Sequence, residues 1–128
     1  VRVKQKTSEA PLVSVVDDDA SVRRSMLRVI QSFGFRAEAF ESAEDFLASG
    51  RVEQPACLIL DVRMPRMDGL ELQRRLGEDT PRIPIVFLTA QASDEEERRA
   101  LRAGSVALLR KPVSKDVLRG VLHAVLGR

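Results

Sequence analysis

Four short apolar runs in this chain each end in a residue suited to bind a cation or a phosphoryl oxygen, and this pattern constrains the fold more than any other feature. Leu12-Val13-Ser14-Val15-Val16 runs into Asp17-Asp18-Asp19. Cys57-Leu58-Ile59-Leu60 ends at Asp61, and the chain turns polar at once in Val62-Arg63-Met64-Pro65. Ile85-Val86-Phe87-Leu88 ends at Thr89, and Val106-Ala107-Leu108-Leu109 ends in Arg110-Lys111-Pro112. Short apolar runs of this kind, bounded by turn-forming residues, predict buried strands. In a parallel sheet the C-terminal strand ends lie side by side. Carboxylates, a hydroxyl and an ammonium would then meet on one patch, which suits a divalent cation and a phosphoryl group.

The segments between the runs have helical spacing. Val22, Met26, Val29, Ile30 and Phe33 recur on one face, and Gly34 follows as a C-terminal cap. Ala37–Phe40 reads weakly as a further strand. Ser42-Ala43-Glu44-Asp45 starts a helix that buries Phe46 and Leu47. The strand Ala56–Leu60 is followed by the turn Met67-Asp68-Gly69 and a helix over Leu70–Leu76, with Leu72 and Leu76 on one face. Pro84 lacks an N–H and so fits only the start of the next strand. From Ser93 to Ala103 a helix carries Asp94, Glu95, Glu96 and Glu97 in its first turn and Arg98, Arg99 and Arg102 later. That order complements the helix macrodipole, so the acidic run reads as helix chemistry and not as a metal site. Gly104 caps it. Ser114 caps a last helix whose apolar stripe is Val117, Leu118, Val121, Leu122 and Val125, with His123 off the stripe as a surface residue. Strand and helix alternate five times, which predicts a single doubly wound α/β domain with a parallel sheet.

The 128 residues suit one compact domain, with 44% hydrophobic residues for a core and 31% charged residues for its surface. No apolar stretch approaches the roughly 18 residues needed to span a bilayer. Residues 1–10 read as a disordered N-terminal extension, and 11–128 as the folded domain. The lone Cys57 reads as a buried thiol and permits no internal disulfide, which fits a cytoplasmic location. The net charge of +2 equals the surplus of Arg2, Lys4 and Lys6 over Glu9 in the extension. Basic residues dominate from Arg98 onward, and the plainer reading is a solvated helix face. With no Tyr or Trp and no base-reading motif, direct nucleic-acid binding by this domain is not expected.

Val15-Val16-Asp17-Asp18-Asp19, Leu60-Asp61-Val62-Arg63-Met64-Pro65 with Asp68-Gly69, Leu88-Thr89-Ala90, and Lys111-Pro112 together closely resemble the receiver domain of bacterial response regulators, the CheY-like fold. The resemblance covers residues 11 to 126. The opening Val-Val-Asp-Asp-Asp and the segment Ser42–Phe46 are also similar to the FixJ-type subgroup, whose members usually carry a DNA-binding domain. It implies a flavodoxin-like five-stranded sheet of order 2-1-3-4-5 with five helices. It also implies roles. Asp61 matches the phosphoacceptor. Asp18 matches the carboxylate that binds Mg²⁺ directly, Asp17 the one acting through a metal-bound water, and the Arg63 backbone carbonyl a further ligand. Thr89 matches the hydroxyl that meets the phosphoryl oxygen. Lys111 matches the family's lysine, with a cis bond to Pro112. A sensor histidine kinase or a histidine phosphotransfer protein is the implied donor, and a transcriptional output through a DNA-binding domain in the intact protein is expected. A homodimer through the C-terminal helix–strand–helix face is a further expectation, without a motif behind it.

The chemistry agrees with these residue types. Phosphoryl transfer depends on positioning and charge compensation. Mg²⁺ favours octahedral oxygen ligands and takes one or two carboxylates with waters and phosphate. Without the cation, neighbouring acids repel and one pKa should rise. Lys111 offsets that repulsion. Singly, each motif has a plainer reading: Asp17–Asp19 as helix caps, with Asp19 one here, Thr89 as a strand end, Lys111 as a surface cation.

The chain departs from the family at Leu108, where an aromatic residue usually serves as the rotameric switch, and at Val113, where many relatives carry Phe. Arg63 and Gln91 occupy the two positions that tune phosphate lifetime in the family. The Thr89–Gln91 loop and the helix that follows it are therefore expected to move more than Leu108. Three rival readings fit these residues less well. An aspartyl-phosphate phosphohydrolase needs a second acid two residues beyond its nucleophile, where this chain has Arg63. A flavin binder needs a hydroxyl- and Gly-rich loop and stacking aromatics. A pseudo-receiver would not need the intact acids, Thr89 and Lys111, although Leu108 is compatible with it. The expectation is a phosphoacceptor signalling domain and not a turnover enzyme.

Overall fold

The computed structural model describes residues 9–79 and 83–127, without the side chains of residues 78 and 79. Strands and helices alternate: β1 (Leu12–Val16), α1 (Ala20–Ser32), β2 (Arg36–Phe40), α2 (Ala43–Ala48), β3 (Cys57–Leu60), α3 (Gly69–Asp79), β4 (Ile85–Thr89), α4 (Asp94–Arg102), β5 (Ala107–Arg110) and α5 (Lys115–Leu126). The sheet is five-stranded and parallel throughout, in the order β2-β1-β3-β4-β5. This is the expected doubly wound architecture. The reversal of strand order lies between β1 and β3, where crossovers leave for opposite faces and a crevice opens. Val16 pairs with Leu60, Leu60 with Phe87, and Thr89 with Arg110, so the four strand ends are in step.

The central strands are buried on both faces, which explains their near-continuous apolar runs. Alternate residues feed two cores. Val16, Leu58, Leu60 and Phe87 pack with Phe46, Leu72, Leu76 and Ala100 beneath α2, α3 and α4. Val13, Val15, Ile59, Val86 and Leu88 pack with Met26, Ile30, Leu118 and Leu122 beneath α1 and α5.

Local signals place the helix starts. Asp19 caps α1 by accepting from Ser21 N and Val22 N, Ser42 caps α2, Ser93 caps α4 in a full capping box, and Ser114 caps α5. Gly34 and Gly104 sit at positive φ after their helices. Four of the strand boundaries differ from the sequence expectation by one residue: β2 starts at Arg36, β3 at Cys57, and β5 runs Ala107–Arg110, shifted at both ends. Two side chains also differ. Val117, expected on the α5 stripe, is 49% exposed, because Leu118 and Leu122, four apart, occupy the centre of the buried face. His123 is half-buried with its ring 5.4 Å from that of Phe35. Residues 1–8 of the expected N-terminal extension lie outside the described residues. Ala10 is already joined to the sheet, its carbonyl accepting from Arg36 Nε at 2.8 Å. Cys57 is buried as expected, and burial pushes its thiol up to about 12. Among the described residues, no helix is long and apolar enough to cross a membrane.

Candidate functional site

The site forms where the strands end. Asp17 follows β1 directly, and Asp61 follows β3, its N–H donating to Val16 O at 3.1 Å. Both carboxylates leave adjacent paired strands at the same level. Asp17 is 2% exposed and Asp61 8% exposed, while Asp18 faces solvent. Oxygens of Asp17, Asp18 and Asp61 lie within 4.8 Å of one another, a spacing at which one cation could be shared. Lys111 follows β5 and its N–H donates to Thr89 O at 2.9 Å. Its Nζ lies 2.9 Å from Asp17 Oδ2 and 3.4 Å from Asp61 Oδ2. The peptide bond to Pro112 is cis, as the resemblance implied. Asp17, Asp18, Asp61, Arg63, Thr89, Gln91 and Lys111 all line one open cavity of about 270 Å³.

Backbone and side-chain bonds hold this geometry. Asp17 Oδ1 accepts from Asp19 N at 2.9 Å, and Arg23 Nη1 donates to Asp17 O at 2.8 Å. Asp61 Oδ1 accepts from Arg63 N at 3.3 Å. Gly69, at the start of α3, packs directly on Asp61. A Cβ there would collide with the Asp61 carbonyl oxygen, so the Asp-Gly turn needs glycine for close approach. The loop between Asp61 and Gly69 is braced from α2, where Glu44 Oε2 accepts from Met67 N at 3.1 Å. Within that loop Arg66 takes φ 65°, a left-handed conformation unusual for a residue with a side chain.

The charges of the cluster are unevenly balanced. Burial raises the Asp17 pKa above its ordinary value. The Asp19 N–H and Lys111 oppose that rise, and the Asp61 charge adds to it. The expected rise in one acid is therefore present, but desolvation leads it and mutual repulsion is secondary. Burial also works against the charge on Lys111, yet its bond to Asp17 and the charges of Asp61 and Asp17 raise its pKa overall. One ammonium faces two carboxylates of low exposure and a third at the rim. A divalent cation fits that donor set and its negative charge.

Thr89 is fully buried, and its hydroxyl is engaged within its own loop. Oγ1 donates to Gln91 O at 3.0 Å and accepts from Gln91 N at 3.3 Å. Leu108 is half-buried and packs on the core beneath α2, α3 and α4. Three contributions escaped the sequence reading. Glu96, read only as helix chemistry, accepts from Arg63 Nη2 at 2.7 Å. Arg110, beside Lys111, bonds Glu97 at 2.7 Å and Ala92 O at 2.8 Å. Gln73 is buried in α3 and donates to Ala100 O of α4 at 3.0 Å. The only sequence hint was a glutamine flanked by the core leucines of α3.

Comparison with known proteins agrees with this geometry. The chain is 35% identical over 124 residues to the response regulator protein TodT of Pseudomonas putida, covering 97% of this chain and 55% of that protein. It is 38% identical over 121 residues to the transcriptional regulatory protein TdiR of Thauera aromatica, covering 94% and 53%. The chain thus spans about half the length of the curated relatives it matches. The crystal structure of FixJ-N superposes with a TM-score of 0.83 at 31% identity, covering 94% of this chain and 96% of that one. The profile described as response regulator receiver domain matches residues 13–123, and the chain belongs to that family of two-component signalling domains.

Proposed function

We propose that this domain accepts a phosphoryl group on Asp61 from a phosphohistidine of a sensor kinase or phosphotransfer protein, and that the modified state controls an output. The observation that carries this is the convergence of Asp61, Asp17, Asp18, Thr89 and Lys111 in one cleft at the sheet's switch point. An Asp61 oxygen attacks phosphorus, the P–N bond of the donor breaks, and the leaving imidazole nitrogen takes the bonding electron pair. Lys111, already between Asp17 and Asp61, moves toward the new charge of about −1.5 to −2. Thr89 exchanges its bond to Gln91 O for one to a phosphoryl oxygen. Asp18 and Asp61 would hold Mg²⁺, with Asp17 acting through water and the Arg63 carbonyl as a further ligand. When bound, that ion neutralises charge on the transferring group. The domain is consumed and restored by hydrolysis in this scheme, and does not turn over an external substrate. Relatives named as transcriptional regulators support a transcriptional output carried by another part of the intact protein.

Intact mass after incubation with phosphoramidate tests the proposal, run with and without Mg²⁺ and beside Asp61→Asn. A Mg²⁺-dependent gain of one phosphoryl, absent from the variant, is expected. No gain in the folded wild type would support the pseudo-receiver reading instead.

A further inference from the structure

We propose that Glu96 is a positioning residue for the acceptor site. In the unmodified protein it holds the Arg63 guanidinium at the first turn of α4. An anion on Asp61 draws that guanidinium away and frees the start of α4 from the acceptor loop. This rests on Asp61 as the acceptor and adds the residue that links it to a helix.

Arg63 is attached to the acceptor at its backbone, where its N–H donates to Asp61 Oδ1. Its side chain ends 2.7 Å from Glu96 Oε1. That same oxygen accepts from Ser93 N at 2.9 Å, while Glu96 N donates to Ser93 Oγ at 3.1 Å. One carboxylate oxygen therefore closes the capping box of α4 and ties the helix to the residue two after Asp61. The tie is easily exchanged. Its side chains are 56% and 19% exposed, and pairs of that kind shift an equilibrium by about fivefold at most.

Arg63 also lines the cleft that would receive the phosphoryl. A guanidinium pairs in bidentate fashion with phosphoryl oxygens, whose charge of about −1.5 to −2 exceeds that of Glu96. Thr89 bears on the same segment. Its hydroxyl must release Gln91 O to reach a phosphoryl, and Gln91 leads within two residues to Ser93. Both changes act on the loop that enters α4. Release of Arg63 leaves the Ser93–Glu96 capping box intact, so the helix persists while its attachment is lost.

Beryllofluoride, formed from beryllium and fluoride salts with Mg²⁺ as a phosphoryl mimic, is titrated into the folded wild type, Glu96→Gln, Arg63→Ala and the double variant, with NMR detection. Glutamine preserves the capping box and removes the charge that competes for Arg63. Glu96→Gln is expected to bind about two- to fivefold more tightly, Arg63→Ala more weakly, and the double variant like Arg63→Ala. In the wild type, the Arg63 Nε–H and the Ser93 and Glu96 amides should shift on binding. In Glu96→Gln the Arg63 signal should be displaced before any ligand is added. Equal or weaker binding by Glu96→Gln, or a gain that survives in the Arg63→Ala background, would overturn the positioning role alone. A folded wild type that binds no beryllofluoride would overturn the acceptor function, and the positioning role with it.

Discussion

Helices α4 and α5 flank the same last strand, yet they are held in place by opposite means. α5 buries Leu118 and Leu122 in a core shared with Met26, Ile30 and three strands. α4 buries only Ala100. Polar ties on three sides do the rest: Gln73 to Ala100 O, Arg63 to Glu96, and Arg110 to both Glu97 and Ala92 O. Apolar burial is non-directional and insensitive to a new charge nearby. Charged ties at a surface are weak, screened by salt and open to competition. On the acceptor function proposed above, the helix beside the cleft is therefore the one whose attachment a phosphoryl group would alter, while α5 serves as its fixed reference.

The strongest way to break this contrast is to truncate one apolar side chain on each helix. Leu122→Ala should lower stability by about 2–5 kcal/mol, because a fully buried leucine leaves a cavity. Leu101→Ala, at a residue 44% exposed on α4, should stay within about 0.5 kcal/mol. Urea unfolding measures both. Comparable losses would mean that α4 is anchored by apolar contact after all.

Gln73 gives the next largest effect. Gln73→Ala removes a buried donor from Ala100 O, which keeps Ser105 N at 3.1 Å as a partner. The cost should be about 1 kcal/mol. Amide exchange should accelerate across α4 and stay unchanged in α5. Equal acceleration in both helices would show that they open as one unit.

Arg110 sharpens the picture at the N-terminus of α4. Its side chain is 44% exposed, so Arg110→Ala should cost less than about 1 kcal/mol globally. Exchange at the first turn of α4 should nevertheless quicken, and added salt should bring the wild type toward the variant. A salt-independent difference would place the anchoring in packing of the arginine stem.

How much of this was legible in the sequence follows from the range of each interaction. The cleft could be read because Asp17, Asp61, Thr89 and Lys111 each sit at or just past the end of an apolar run, and a parallel sheet aligns such ends whatever the loops do. Asp19 and the serine caps could be read because capping is local. Glu96 could not. The run Asp94–Glu97 is already explained by the helix dipole, and its partner Arg63 lies 33 residues away. Only the adjacency of β3 and β4 brings them together. Gln73 escaped for a related reason. Its buried partner is a backbone carbonyl on another helix, and no side-chain pattern marks a carbonyl. The order of the causes at Asp17 was likewise hidden, since the triplet announces repulsion while its burial, the larger effect, belongs to the packed sheet.

Acid gives the smallest of these effects and probes the polar rim of α3 beside α4. Glu71 accepts from Arg74 and Arg75, with contacts of 2.6 and 3.1 Å, and the Arg74 bond leads in holding its carboxyl down to about 2 from an ordinary 4.5. A carboxyl depressed in the folded state stabilises it above the unfolded pKa and loses that contribution as pH falls through the folded one. Its share should thus be complete above about pH 4.5 and vanish toward pH 2. The side chain lies at the surface, 35% exposed, so solvent and salt screen the effect. Glu71→Gln should lower Tm slightly at pH 6, match the wild type near pH 2, and show a smaller difference in high salt. Amide exchange in α5 should not respond to the substitution at any pH. A Tm gap that persists at pH 2 would instead assign Glu71 a packing role, and the rim would then be less electrostatic than the ties around α4 suggest.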